Sequence, residues 1–289
     1  MIRFKSGFCA FGIVASLAGP VFAQDCSVAD QAALETLRQV MHPEHPSAFA
    51  ARAVVQTAVG IQQVLVSRGE ADASRAGVPV PLHSAACRDP SHRLLFETGS
   101  QCGVAQWYKF ETISQQLSGR QATVVTALPK DVYRHGFQLV VDDATGIVLR
   151  STAFNGNTAL ENVELRSMTL ATSDVSANSV GADEGEVRQD ILDWQASWVP
   201  SGFIRASSTA GAIEAQTYTD GLSSFTLFLE RPQADIRVGE GLVNRGATIA
   251  YTRGMMLDSG PRLVTVVGEV PVNSARMVVE SLVWGSAVE

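Results

Sequence analysis

From Tyr133 to Leu170 the chain alternates apolar with polar residues, and turn residues interrupt the alternation at short intervals. Tyr133, His135, Phe137, Leu139 and Val141 interleave with Arg134, Gly136 and Gln138. A period of two marks a strand with one apolar face. Asp142-Asp143-Ala144-Thr145-Gly146 is turn chemistry, Ile147 to Phe154 reads as a second strand, Asn155-Gly156-Asn157 turns again, and Leu160 to Leu170 makes a third. Three strands joined this closely predict an antiparallel meander whose apolar face covers something.

The rest of the chain is arranged around that meander. Ser27 and Asp30 resemble a capping box, with Leu34, Leu37 and Met41 following at helical spacing. This helix should end at His42-Pro43, because the residue before proline avoids the helical region. Ala53 to Ser67 reads as strand, with helix as the alternative, residues 69–103 show little regular pattern, and Gln121 to Ala127 is a short β-rich run. Thr172 to Asp190 holds no aromatic residue and is the expected linker. Beyond it, strands are expected at Phe203–Ser207, Leu222–Glu230, Ala247–Arg253 and Leu263–Val270. A final helix begins near Pro271 and Asn273 with a buried stripe of Ala275, Val278, Val279 and Leu282. The fold class is therefore α+β and β-rich, the second unit being a smaller antiparallel sheet with a packed helix.

The N-terminus reads as an export signal. Arg3 and Lys5 precede an apolar run from Phe8 to Leu17, and Val21-Phe22-Ala23 offers small residues at the cleavage positions. The expected segments are 1–23 signal peptide, 24–172 first domain, 173–190 linker and 191–289 second domain. The expected compartment is the periplasm. The net charge of −7 becomes more negative when Arg3 and Lys5 leave, which argues against a nucleic-acid partner. Of the cysteines left after export, Cys87 and Cys102 flank a polar loop and form the expected disulfide. Cys26 is then free or pairs between chains; three reduced, buried cysteines are the alternative.

No nucleophile elbow, zinc-protease helix, phosphate loop or paired-cysteine redox motif occurs, so no catalytic residue and no cofactor is expected. His42 and His45 each precede a proline and suit a solvated helix end. His83 and His92 near the cysteines make a zinc site conceivable, but no metal is expected.

Four segments carry a resemblance. They are Gly119-Arg120-Gln121-Ala122 with Pro129-Lys130-Asp131-Val132-Tyr133-Arg134-His135-Gly136-Phe137; Trp198-Val199-Pro200-Ser201-Gly202-Phe203; Thr219-Asp220-Gly221-Leu222-Ser223-Ser224-Phe225 leading to Arg245-Gly246-Ala247-Thr248; and Val264 to Pro271 with its helix. In order and spacing this set resembles the MucB/RseB family of sigma-E regulators, from about Gly119 to the C-terminus. Residues 24–118 match the family poorly. The resemblance implies a lipoprotein-carrier-like antiparallel half-barrel, closed by helices over an apolar cavity, as the N-terminal domain. It also implies a C-terminal domain that binds the periplasmic segment of an RseA/MucA-type anti-sigma factor and blocks its cleavage by a DegS-type protease. Lipid or lipopolysaccharide relieves that block. Trp107, Tyr108, Phe110, Phe137, Leu139 and Val141 are the cavity candidates. Tyr218, Phe225, Arg245 and Arg253 are the partner-binding candidates. A homo-oligomer is compatible with the sequence. A periplasmic lipid or lipoprotein carrier is the second reading, because the N-terminal fold alone permits it.

Overall fold

The computed structural model describes residues 27–41, 49–68, 103–170, 189–232, 239–257 and 260–285. Helix α1 (Val28–Met41) opens on the expected capping box. The Asp30 amide donates to Ser27 Oγ at 3.1 Å and the Ser27 amide donates to Asp30 Oδ2 at 3.2 Å, so two otherwise unpaired donors at the helix start are satisfied.

Seven strands follow: β1 (Phe49–Thr57), β2 (Gly60–Arg68), β3 (Tyr108–Leu117), β4 (Arg120–Pro129), β5 (Gly136–Asp142), β6 (Val148–Asn155) and β7 (Thr158–Leu170). They form one antiparallel sheet in the order β2-β1-β7-β6-β5-β4-β3. The sheet stays open, with β2 and β3 as its edges.

Two expectations need correction here. Ala53 to Ser67 is not one strand but the hairpin β1–β2, reversed at Gly60, whose φ of +145° no side-chain-bearing residue adopts readily. Strand β5 starts at Gly136, so Tyr133, Arg134 and His135 lie before the sheet. Asp131 Oδ1 accepts the Tyr133 amide at 2.9 Å and bends the chain there.

Large and small side chains alternate across the first sheet. Phe110 pairs with Ala127, Ala127 with Phe137, and Phe137 with Ala153. Each alanine leaves room for its neighbouring ring. Helix α1 lies over β3 and β4. Its Ala33, Leu34 and Leu37 complete one core with Phe110, Phe137, Leu139 and Val141.

The second unit has a six-stranded antiparallel sheet in the order β12-β13-β14-β11-β10-β9. Its members are β9 (Ile204–Thr209), β10 (Ile213–Thr219), β11 (Ser224–Glu230), β12 (Glu240–Arg245), β13 (Thr248–Leu257) and β14 (Gly260–Gly268). Helix α2 (Val272–Glu280) packs on β13 and β14 through Ala275, Val278 and Val279. Leu282, expected in the helical stripe, lies past its end, because the Ser281 amide closes the last turn on Met277 and Val278 carbonyls. Leu282 instead begins β15 (Leu282–Trp284), which pairs with β8 (Trp194–Ala196). Most of the expected linker lies outside the described residues. Its last two residues, Gln189 and Asp190, bond to β9 at Ala206 and Ser208.

Candidate functional site: the seam between the two sheets

The cavity candidates are packed. Tyr108, Phe110, Phe137, Leu139 and Val141 are at most 3% exposed, and Trp107 is partly buried against them. The same cluster takes in Leu222 and Ala247 from the second unit, so the two units share a core.

Arg134 stands at the centre of that contact. The bend at Asp131 turns its side chain away from the polar face expected for it, and it is 1% exposed. Its Nη1 donates to Asp220 Oδ2 at 2.7 Å, its Nε donates to both Asp131 oxygens at 3.1 Å, and its Nη2 donates to the Ser201 carbonyl. The guanidinium lies 5.4 Å from the Trp107 ring, 5.5 Å from Tyr108 and 5.4 Å from Phe203. Burial opposes its charge, and Asp220 with Asp131 holds it above the usual arginine range.

Asp220 is equally enclosed. It accepts the Tyr108 hydroxyl at 3.0 Å, the Leu222 amide at 3.0 Å and the Ser223 amide at 2.8 Å. Burial pushes its carboxyl up, and Arg134 with these donors offsets the rise only in part. Burial, then the charge of Asp220, pushes the Tyr108 hydroxyl well up as well, so it stays a donor. A buried pair of this kind gains little over a well-packed apolar one, but losing one partner strands a charge. Its contribution is to fix one arrangement of the two sheets.

Other contacts extend the seam. Tyr133 meets Trp198 edge-to-face at 5.4 Å, and Ser274 Oγ donates to the Tyr133 carbonyl at 2.9 Å. His135 is 4% exposed and hydrogen-bonds the Val270 backbone, while its Nδ1 has no partner. Burial lowers this imidazole to about 4, against the pull of that bond. On the far side of the seam, Arg245 donates to Gln62 of β2 at 2.9 Å.

The partner-binding candidates separate into two groups. Tyr218 and Phe225 are 5% and 2% exposed and stack at 5.3 Å inside the second core. Their strand positions face inward, so they are not surface residues as expected. Arg245 is exposed at the end of β12, and Arg253 on β13 pairs in register with Glu240 and bonds Glu280 at 3.2 Å. Strand β12 is exposed along its whole length, with Leu242 and Val243 open to solvent. Among the described residues it is an edge strand, with no strand hydrogen-bonded on its outer side.

Cys26, Cys87 and Cys102, like His42, His45, His83 and His92, lie outside the described residues. Among the described residues no group of three metal-ligating side chains converges, and no helix is long and apolar enough to cross a membrane.

Two antiparallel sheets fastened by a buried ionic seam define a two-unit β-sheet protein whose shared core fixes their relative placement. The family model for the MucB/RseB N-terminal domain matches residues 52–190, and that for the MucB/RseB C-terminal domain matches residues 188–283. The chain belongs to the MucB/RseB family. The match begins at residue 52, so β1 to β3 belong to the family fold although the sequence resemblance was legible only from Gly119.

Relatives include the sigma factor AlgU regulatory protein MucB of Pseudomonas aeruginosa, 30% identical over 62% of this chain and 61% of that protein. The sigma-E factor regulatory protein RseB of Haemophilus influenzae is 25% identical over 58% of this chain and 56% of that one. The chain spans about three-fifths of the length of these curated relatives. The P. aeruginosa MucA/MucB complex shares the fold at a TM-score of 0.62 and 22% identity, covering 89% of this chain and 99% of that one. MucB in complex with MucA(peri) does so at 0.61 and 23%, with the same coverage.

Proposed function

We propose that this protein is a periplasmic negative regulator of a sigma-E envelope stress response. It holds the periplasmic segment of an RseA/MucA-type anti-sigma factor and shields it from regulated proteolysis, and lipid or lipopolysaccharide relieves the shielding. The observation that carries this reading is the match to both domains of the family, over residues 52–190 and 188–283. The solved relatives that share the fold include MucB bound to MucA. In this reading the domains are 24–172 and 191–289, exported by way of the 1–23 signal and joined by 173–190. Cys87 and Cys102 form the disulfide.

Strand β12 gives the partner segment a place to dock. An extended chain adds to an exposed edge through backbone hydrogen bonds, with Leu242 and Val243 as apolar contacts and Arg245 and Arg253 as charged ones. The carrier reading is weaker, because a simple carrier needs no appended second domain, and residues 188–283 match the MucB/RseB C-terminal domain.

The test is titration calorimetry of the mature protein with the periplasmic segment of an RseA/MucA-type anti-sigma factor from the same organism, followed by DegS-type cleavage of that segment. Saturable binding and slowed cleavage are expected. No binding by the intact protein refutes the reading.

A further inference from the structure

Strand β12 has no buried side chain of its own, for all six residues of Glu240–Arg245 are exposed. It pairs with β13 from Glu240↔Arg253 to Arg245↔Thr248. Its position therefore rests on that ladder and on what holds its two ends. At the start of the strand the tie is an exposed ion pair, Arg276 Nη2 to Glu240 Oε2 at 3.3 Å, of a kind that contributes little.

The other end is built differently. Gly246 and Ala247 turn β12 into β13, and Gly246 has φ +63°. The turn does not project into solvent. Ala247 is 1% exposed and belongs to the core of the first unit, with Phe137 and Ala153. Glu161 on β7 reaches the turn from that unit. It pairs with Ala153 on β6 and Thr57 on β1, and is itself buried. Its carboxylate accepts the Ala247 amide. A Cβ on Gly246 would come within 2.0 Å of Glu161 Oε2 and 3.1 Å of Thr57 Cγ2, so the turn sits directly against both strands. A second tie, from Arg245 to Gln62 at 2.9 Å, is exposed. Water competes for that one, whereas the carboxylate bond is screened from water and is the stronger of the two.

We propose that Glu161 is the positioning residue of the β12 edge: it fastens the β12–β13 turn to the first sheet and so sets where β12 stands. This role rests on the reading of β12 as the docking strand. It deepens that reading by giving the first unit a part in binding through a residue that need not touch the partner. An added strand gains most from an edge whose backbone is already in place, because an edge that must be ordered on binding loses affinity to the ordering. With Glu161 present, the partner meets a preformed edge. Without it, β12 keeps its ladder to β13, but the turn is released and the strand opens more often from its Arg245 end.

Hydrogen exchange on the mature, full-length protein tests the fastening with no partner present. Corrected for intrinsic rates, the wild-type Ala247 amide should exchange at least about tenfold more slowly than that of Gly156, which lies in an exposed turn. Glu161→Ala should speed exchange at Ala247 and along β12 by about tenfold, while Val264 and Val266 in the second core keep their rates. Glu161→Gln keeps a carbonyl oxygen for the Ala247 amide, and Gln62→Ala removes the exposed tie; both should stay within about threefold of wild type. Calorimetry with the periplasmic segment of an RseA/MucA-type anti-sigma factor should give a Kd about tenfold higher for Glu161→Ala, with Glu161→Gln close to wild type. Exchange at wild-type Ala247 as fast as at Gly156 would overturn the role, and that result needs no variant. It is equally overturned if Glu161→Ala leaves the β12 amides unchanged, or binds the segment as wild type does. A wild type that does not bind at all refutes the docking reading instead, and the exchange rates then decide the fastening by themselves.

Discussion

Trp107 lies against Gly202 so closely that a Cβ on the glycine would meet the indole nitrogen at 2.2 Å. The φ of Gly202 is +88°, which disfavours any side chain independently of the space. Gly202→Ala should therefore push the units apart at this point and cost about 1–3 kcal/mol, the usual range for overpacking. A lower urea midpoint and a red shift in tryptophan emission should accompany it. An unchanged emission spectrum would show that the indole has another place to go.

Asp220→Asn should cost about 3–5 kcal/mol in urea unfolding, because it leaves Arg134 charged and short of a buried partner. Replacing both together, as Arg134→Met with Asp220→Leu, should recover much of that stability. The double variant should nevertheless hold its units less uniquely, visible as extra peaks or broadening in amide spectra. A double variant as unstable as Asp220→Asn would argue that Ser201 and the surrounding rings depend on the guanidinium itself.

His135 sets an acid limit. Its imidazole is held neutral, at about 4 against an ordinary 6.5, so folding gains from it above pH 6.5 and loses that gain as pH falls to about 4. The loss is up to about 3 kcal/mol across that interval. Denaturant melts of wild type and His135→Leu at pH 4, 5, 6 and 7 should converge toward the acid end. Parallel curves would sink the assignment.

Binding of the anti-sigma segment should respond to the β12 edge. Leu242→Lys with Val243→Glu should raise the Kd of the proposed complex at least about tenfold, or about 1.4 kcal/mol, with little change in Tm, because both side chains are exposed. Equal Kd values by calorimetry would move the docking site elsewhere.

Strands β6 and β11, whose burial alternates with a period of two, were legible in the sequence; β5 was legible too, although it is buried on both faces at all but Gln138. Strand β12 is exposed at every residue, so Glu240–Arg245 offered no alternation to read. The seam was hidden for another reason. Arg134 and Asp220 are 86 residues apart, and a charged residue in a strand-like pattern reads as solvent-facing. The motifs that signalled the family, Asp131 to Phe137 and Thr219 to Phe225, are the two halves of this contact. Their unusual spacing of charge, aromatic ring and glycine was the available signal. Glu161 looked like one more polar position in an alternating strand, and only the approach of Gly246 and Ala247 distinguishes it.

Strands β8 and β15 bring Trp194 opposite Trp284. The opening strand of the second unit thus finds its hydrogen-bonding partner only in the last strand described. During synthesis, Trp194 emerges long before Trp284 and waits without its neighbour. Completion of this unit is therefore a late event in the life of the chain. Until then its first aromatic residues are exposed to whatever escorts an unfolded polypeptide.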